Sequence, residues 1–279
     1  MIPTSADAAK PVDKGGLLFR LLRDERLEGF EKSFKMADRS LLANRCLMGL
    51  SRSRIAPQKL LDICRKLAMP ERFLAAFQER LPEADTVHFG FEEGESGFIY
   101  KVYLEFARRL YQALASGPRA AGSDAAEPLL LHLAYKWDAL ERGKSTVAEY
   151  RCYPQLSGQA MLERMARIYS GHKDNVAFDA VKGMLALASG RTAEALMYLE
   201  VSEQGNPRLS FDINLHAADL RLHEIEPFLS LLCTHYSIPA AQFARMFAQV
   251  RTQKLGHVAG GISREGRDFL TVYHEVGVH

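Results

Sequence analysis

Only four cysteines occur in 279 residues, and Cys46, Cys64, Cys152 and Cys233 lie far apart, with no C-x-x-C and no histidine at metal-ligand spacing. That excludes a disulfide framework and a zinc finger, and predicts small buried or half-buried thiols. No apolar run approaches the length of a membrane span, and the opening MIPTSADAAKPVDKGG lacks the apolar stretch of a signal peptide. The expectation is therefore a cytoplasmic chain with no membrane partner. Charge of one sign is not in excess: 36 Lys and Arg stand against 34 Asp and Glu, for a net charge of +2. With no RNA- or DNA-reading motif either, nucleic acid is not an expected partner, although local basic groups remain free to hold a small anion. The chain has no P-loop, no G-x-G-x-x-G after a strand, no G-x-S-x-G, no H-E-x-x-H and no D-D-x-x-D. Those absences set aside P-loop and dinucleotide chemistry, serine hydrolysis, zincin-type proteolysis and the helical isoprenoid enzymes. The nine histidines form no ligand pattern along the chain.

What is present is a repeated pair of short runs of alternating or apolar residues around a polar, mostly Gly-bearing turn. The pairs are 30–36 with 42–50, 85–91 with 97–105, 129–138 with 145–153, 195–202 with 208–215, and 255–262 with 268–276. The turns MADRS, EEGESG, ALERGKS, EQGNP and SREGRD have lengths that make antiparallel hairpins. Their centres recur roughly every 50 to 60 residues, which indicates one supersecondary unit used repeatedly. Amphipathic helical segments fill the gaps: 56–68, 70–81, 106–115, 157–170, 174–190, 223–236 and 239–252. Their Met161, Met165, Phe243, Met246 and Phe247 read as packing residues. The predicted fold is α+β: a ten-stranded antiparallel β-barrel surrounded by helices. With 47% hydrophobic residues and no Pro/Gly-rich divide, residues 16–279 are expected to form a single domain behind a disordered tail, 1–15, with a surface loop at 115–128.

Closure makes parity decisive, because in a barrel wrapped by helices one side-chain parity packs outward and the other lines a lumen. Leu129, Leu131, Leu133, Tyr135 and Trp137 are expected to face helices, and His132, Ala134 and Lys136 the lumen. The first hairpin places Glu31, Ser33 and Lys35 on one face, with Ala43, Arg45 and Leu47 alternating on its second strand. In the second hairpin Lys101, Tyr103 and Glu105 share a face; later strands carry Tyr150, Phe211 and Tyr273. A sheltered ring of Lys, Arg and Tyr suits phosphate oxygens, which Arg meets with a fork geometry. Aromatic faces in the same chamber stabilise a carbocation by about 0.5 to 2 kcal/mol each. Together these describe prenyl transfer from a diphosphate.

The stretch EKSFKMADRSLLANR (31–45) resembles the corresponding stretch of cyanobactin-type peptide prenyltransferases, which have the ABBA or PT-barrel fold; Glu31, Ser33, Lys35, Leu41, Ala43 and Arg45 carry the match. GFIYKVYLEF, GKSTVAEYRCY, NPRLSFDI and GISREGRDFLTVYHEV resemble the family's later hairpins, so the likeness spans about 28–276. The resemblance implies an acid near the acceptor at Glu31, diphosphate binding by Arg45 and Lys101 with Tyr103 and Lys136, and an aromatic shield of Tyr150, Phe211 and Tyr273. No metal ligand comes from the protein; Mg2+ is expected on the diphosphate. The chain departs from the family at Tyr103 and Glu105, in place of His and Arg, and at Phe211 and Asp212, in place of Tyr and His.

The function so implied is transfer of a dimethylallyl or geranyl group from its diphosphate to a Tyr, Trp or Arg side chain of a linear or macrocyclic peptide, in ribosomal natural-product biosynthesis. The partners are that peptide and the isoprenyl diphosphate. With His279 just after the last strand, the expectation is a barrel without a C-terminal cap, which mildly favours a peptide acceptor, since a small-molecule enzyme would close that end with extra structure. The alternatives are an aromatic prenyltransferase for a small molecule or free amino acid, and a non-catalytic binding barrel.

Overall fold

The computed structural model describes residues 14–94, 97–115, 127–141, 143–154, 156–172 and 175–275. Five hairpins are present where the alternating runs predict them: β1 (Gly29–Ala37) with β3 (Arg45–Ser51), β4 (Thr86–Glu93) with β5 (Phe98–Glu105), β6 (Leu129–Trp137) with β7 (Ser145–Tyr153), β8 (Met197–Glu203) with β9 (Leu209–Asn214), and β10 (Leu255–Ile262) with β11 (Asp268–Glu275). Each strand pairs antiparallel with its neighbours. Pairing of β1 with β11, from Glu31 opposite Glu275 to Ala37 opposite Phe269, closes ten strands into a barrel. The return strand of the first hairpin is split: the short β2 (Ser40–Leu42) pairs with Lys35–Ala37 and β3 with Gly29–Lys32, with Ala43 and Asn44 between. In the last turn Gly266 takes φ +72°, a conformation that glycine reaches without Cβ strain.

Helices cover the outward parity in two cores. On one side α1 (Lys14–Leu22), α2 (Pro57–Lys66) and α3 (Glu71–Arg80) bury Leu18, Leu60, Phe73 and Phe77 against Phe89, Val102, Tyr135 and Trp137. The Trp137 indole N–H donates to the Leu67 carbonyl at 2.8 Å. On the other side α5 (Gly158–Ile168), α6 (Val176–Ser189), α7 (Glu226–His235) and α8 (Ala240–Val250) pack Met161, Met165, Met184, Leu229 and Phe243 on Tyr198, Phe211, Val258 and Val272. The helical segments thus fall where their apolar stripes predict, and α1 is an addition. Its first residues, Lys14 and Gly15, were expected in the tail, whose residues 1–13 lie outside the described residues, as do 116–126 of the expected loop and 276–279 at the C-terminus. Cys64, Cys152 and Cys233 are buried and Cys46 is half-buried, all as free thiols.

Two expected orientations fail, and a further break lies in β10, where the register shifts between Leu255 and Val258. A bulge inserts Leu131 between the pairs Leu130–Arg151 and His132–Tyr150. Before it the parity of β6 inverts, so Leu131 and Leu129 pack with Leu110, Cys152 and Leu199 at one end of the barrel instead of facing the outer helices with Tyr135. Phe211 is the second correction: its strand turns Ser210 and Asp212 inward, and Phe211, fully buried, stacks among Tyr169 and Tyr198 in the helix-facing core.

The tightest backbone contact sits in β10. Gly261 has φ +140°, and a Cβ there would meet the Leu209 carbonyl oxygen at 2.3 Å and Ser210 Cα at 2.6 Å. Gly261→Ala is therefore expected to cost about 3 kcal/mol, read as a lowered urea midpoint; an unchanged midpoint would show that the β9–β10 register is looser than described.

Candidate active site

All five hairpin turns ring one end of the barrel, and the connections that carry most helices leave from the other. A cavity of about 680 Å³ runs down the lumen from the helix end, where Leu110, Tyr111 and Leu114 of α4 (Ala107–Ala115) line it, to Arg45 and Lys101 near the turn end. Three kinds of chemistry follow one another along it.

Nearest the turns is a cationic layer. The Arg45 guanidinium lies 2.8 Å from Glu92, donates through Nε to Ser33 Oγ at 3.2 Å and bonds Tyr273; Lys101 is paired to the same Glu92 oxygen. Burial alone would raise the Glu92 carboxyl, but Arg45, Lys101 and Lys35 override it and hold it well below the usual range. Burial pulls Lys35 down to about 8 and also lowers Lys101 against the pull of Glu92. Beside this group the buried Glu203 carboxylate is shared by Lys136 at 3.0 Å, Arg208 at 2.8 Å and Arg264 at 2.7 Å. Six basic side chains thus face two carboxylates; burial brings Lys136 down to about 7, yet Arg45, Arg208, Arg264 and Lys101 still leave the layer positive charge to offer an incoming anion.

Above it stands a tyrosine girdle. Tyr103 and Tyr150 are hydrogen-bonded, with ring centroids 5.7 Å apart, and Tyr273 lies beside Arg45. Ala134 and Ala148, both fully buried, pack against them. Burial pushes all three phenols up, Tyr150 to about 12, so they are neutral hydrogen-bond donors at pH 7.

At the helix end carboxylates and imidazoles mix. Glu31 Oε1 lies 3.4 Å from His216 Nε2 and 3.6 Å from His257 Nε2. The far nitrogens of these rings meet Glu275 at 2.7 Å and Asp212 at 2.9 Å. Burial pushes the Glu31 carboxyl up, while the neighbouring His216 and His257 imidazoles outweigh it, leaving Glu31 below its ordinary value. For His257, burial is overridden by Asp212 and Glu31, which bring the imidazole up to about 9. Across the lumen His88 bonds Glu105 at 2.8 Å, and burial drops His132 to about 4.

Of the residues singled out in the sequence, Glu31, Arg45, Lys101, Tyr103, Tyr150 and Tyr273 line one cavity. Lys136 points inward as its parity requires, yet its ammonium is occupied by Glu203 and it does not border that cavity. Phe211 faces the opposite side of its strand. Tyr103, expected among the diphosphate contacts, belongs to the girdle. On the shared face of β1, Glu31 meets histidines and Lys35 sits near Glu92. The histidines, patternless along the chain, gather four at one end of the lumen: His88, His132, His216 and His257. Inward parity on their strands is the one sequence signal that could have found three of them; His216 stands on a turn.

No protein-family model matches the chain, and no curated protein matches it. Solved structures do. Superposition on 5-dimethylallyltryptophan synthase from Streptomyces coelicolor gives a TM-score of 0.59 at 17% identity, over 88% of this chain and 81% of that one. AnaPT from Neosartorya fischeri gives 0.56 at 14% identity, over 88% and 78%. NotF in complex with brevianamide F and DMSPP gives 0.52 at 11%, over 97% and 96%. The likeness is one of fold: the chain has the ten-stranded ABBA prenyltransferase barrel with its surrounding helices.

Because its cationic partners depress the folded-state pKa of Glu203, the stability it contributes is present above about pH 4 and is lost on acidification below that value. Glu203→Gln, which leaves Lys136 and Arg208 unpaired, is expected to cost about 3 kcal/mol at about pH 7. The difference between variant and parent should narrow below about pH 4 in urea titrations; a pH-independent difference would contradict the assignment.

Proposed function

We propose that the barrel transfers a prenyl group from an allylic diphosphate to an aromatic small-molecule acceptor. The observation that carries the reading is the order of chemistry along the lumen: a buried cationic layer, a tyrosine girdle, then a carboxylate–imidazole end. The diphosphate occupies the cationic layer, with Arg45 and Lys101 as its nearest charges in the cavity. When the C–O bond ionises, the bonding pair leaves with the diphosphate, and fixed cations in a dry site stabilise the charge that develops there. Ring faces of Tyr103, Tyr150 and Tyr273 shelter the allylic cation, and the acceptor's nucleophilic atom forms the new bond on the side away from the diphosphate. Glu31, ionised and held by two imidazoles, takes the proton that the acceptor releases.

Support for a small aromatic acceptor comes from the similar folds, which include two dimethylallyltryptophan synthases and NotF in complex with brevianamide F and DMSPP. Helix α4 agrees, since Leu110, Tyr111 and Leu114 wall the mouth, and about 680 Å³ is room for two small molecules. A peptide acceptor, implied by the likeness of residues 31–45, finds no counterpart in these comparisons. As for Mg2+, the carboxylates of the cationic layer are already shared among Lys and Arg; the donor set suits anionic oxygens, no side chain is assigned to magnesium, and no step depends on it.

Two outcomes test the proposal. Arg45→Ala and Lys101→Ala should each weaken binding of a non-hydrolysable dimethylallyl diphosphate analogue by about 10-fold or more in calorimetry, with circular dichroism unchanged; equal affinity would sink the assignment. Glu31→Gln should keep donor affinity and lose about 100-fold or more in turnover. Undiminished turnover would leave Glu31 a structural carboxylate.

A further inference from the structure

The helix end of the lumen holds an arrangement that proton transfer alone does not require. Three strands and a turn bring it together: Glu31 from β1, His257 from β10, Asp212 from β9, and His216 from the turn after β9. That turn is tied to β10 by the Leu215 N–H to Gly256 carbonyl bond of 2.8 Å, and Asn214 Oδ1 accepts the His216 N–H at 3.0 Å.

We propose that Glu31, His216 and His257 form a binding site for a divalent transition-metal ion of the zinc class. Both imidazoles turn Nε2 toward the same Glu31 oxygen, at 3.4 and 3.6 Å, too long for good hydrogen bonds. In a tetrahedral site with metal–ligand bonds of about 2.0 to 2.1 Å, ligand atoms stand about 3.3 to 3.4 Å apart, so the two spacings from Glu31 to the imidazoles are near those of an ion's ligands. The three residues each offer a ligand atom within 4.8 Å of the others. Both Nδ1 atoms are already held, His216 by Glu275 at 2.7 Å and His257 by Asp212 at 2.9 Å. This carboxylate–histidine pairing fixes each ring with Nε2 toward the ion, which on binding displaces the proton that the His257 imidazolium carries there. Gly256 keeps the flank open, since a Cβ there would stand 3.1 Å from the His216 ring and 3.2 Å from Glu31. Two His and one carboxylate leave a fourth position facing the cavity, and side chains 19 to 28% exposed give the ion an entry path.

The other His–carboxylate group, His88, Glu105 and His132, lacks these features. There His88 Nε2 is taken by Glu105 at 2.8 Å, a distance with no ion between them. Ligation and proton acceptance use the same Glu31 carboxylate and exclude one another in time. The metal site stands without the transfer reading, and its test needs no turnover.

The test is titration of the tag-free full chain with Zn2+ by calorimetry, and with Co2+ by visible absorption. One Zn2+ per chain is expected, with the Co2+ spectrum of a four- or five-coordinate site. His216→Ala and His257→Ala should each lower affinity about 100-fold or more, and Asp212→Asn, which keeps its size, about 10- to 100-fold. His88→Ala should leave affinity unchanged. Failure of the parent chain to bind either ion would overturn the proposal, and that measurement depends on no variant. Affinity surviving in the folded His216→Ala/His257→Ala chain, or lost in His88→Ala, would overturn it equally.

Discussion

Closure of the sheet by β1 against β11 is the constraint on which everything else depends. Seven consecutive residue pairs, from Glu31–Glu275 to Ala37–Phe269, remove the last two edges and turn one parity of ten strands into the wall of a chamber. The same ladder places functional groups. It sets Ser33 opposite Tyr273, so that two of the three partners of the Arg45 guanidinium arrive together, and Glu31 opposite Glu275, so that both carboxylates reach His216. A slip of one residue would send Glu31, Ser33 and Lys35 to the helix-facing side.

Enclosure then sets the electrostatics. Charges withdrawn from water must be paired, and the buried cations of the turn end are grouped around Glu92 and Glu203 rather than standing alone. Cations outnumber carboxylates in that layer, which makes it receptive to an anion. The helix end has the opposite composition: Glu31, Asp212, Glu275 and Glu105 surround imidazoles, and the positive charge held on His257 answers the first two. A lumen polarised this way orients any donor with an anionic head and places its other end among tyrosines before chemistry begins.

How far this was legible in the sequence follows from the range of each signal. Hairpins depend on alternation and turn residues within a dozen positions, and all five were readable; so was the inward face of Glu31, Ser33 and Lys35, and of Lys101, Tyr103 and Glu105. Parity failed where one residue changed the count: the bulge at Leu131 inverted its strand before that point, and Phe211 was counted inward when Ser210 and Asp212 are. Whether Lys136 is available depends on Glu203, 67 residues on. The four lumen histidines come from four elements, and nothing local in the chain pairs His88 with Glu105 or His257 with Asp212. Such juxtapositions are products of closure, which periodicity signals only in outline.

The central claim is that the lumen moves a prenyl group from a diphosphate to an aromatic small molecule. Its most direct test is mass spectrometry after incubating the chain with dimethylallyl diphosphate and a panel of indole- and phenol-bearing small molecules, beside short peptides containing Tyr, Trp and Arg. The account predicts a gain of about 68 Da, the mass of one C5 unit less a proton, on a small aromatic molecule. A gain confined to peptides would contradict the acceptor class, and a diphosphate neither bound nor consumed would contradict the account as a whole.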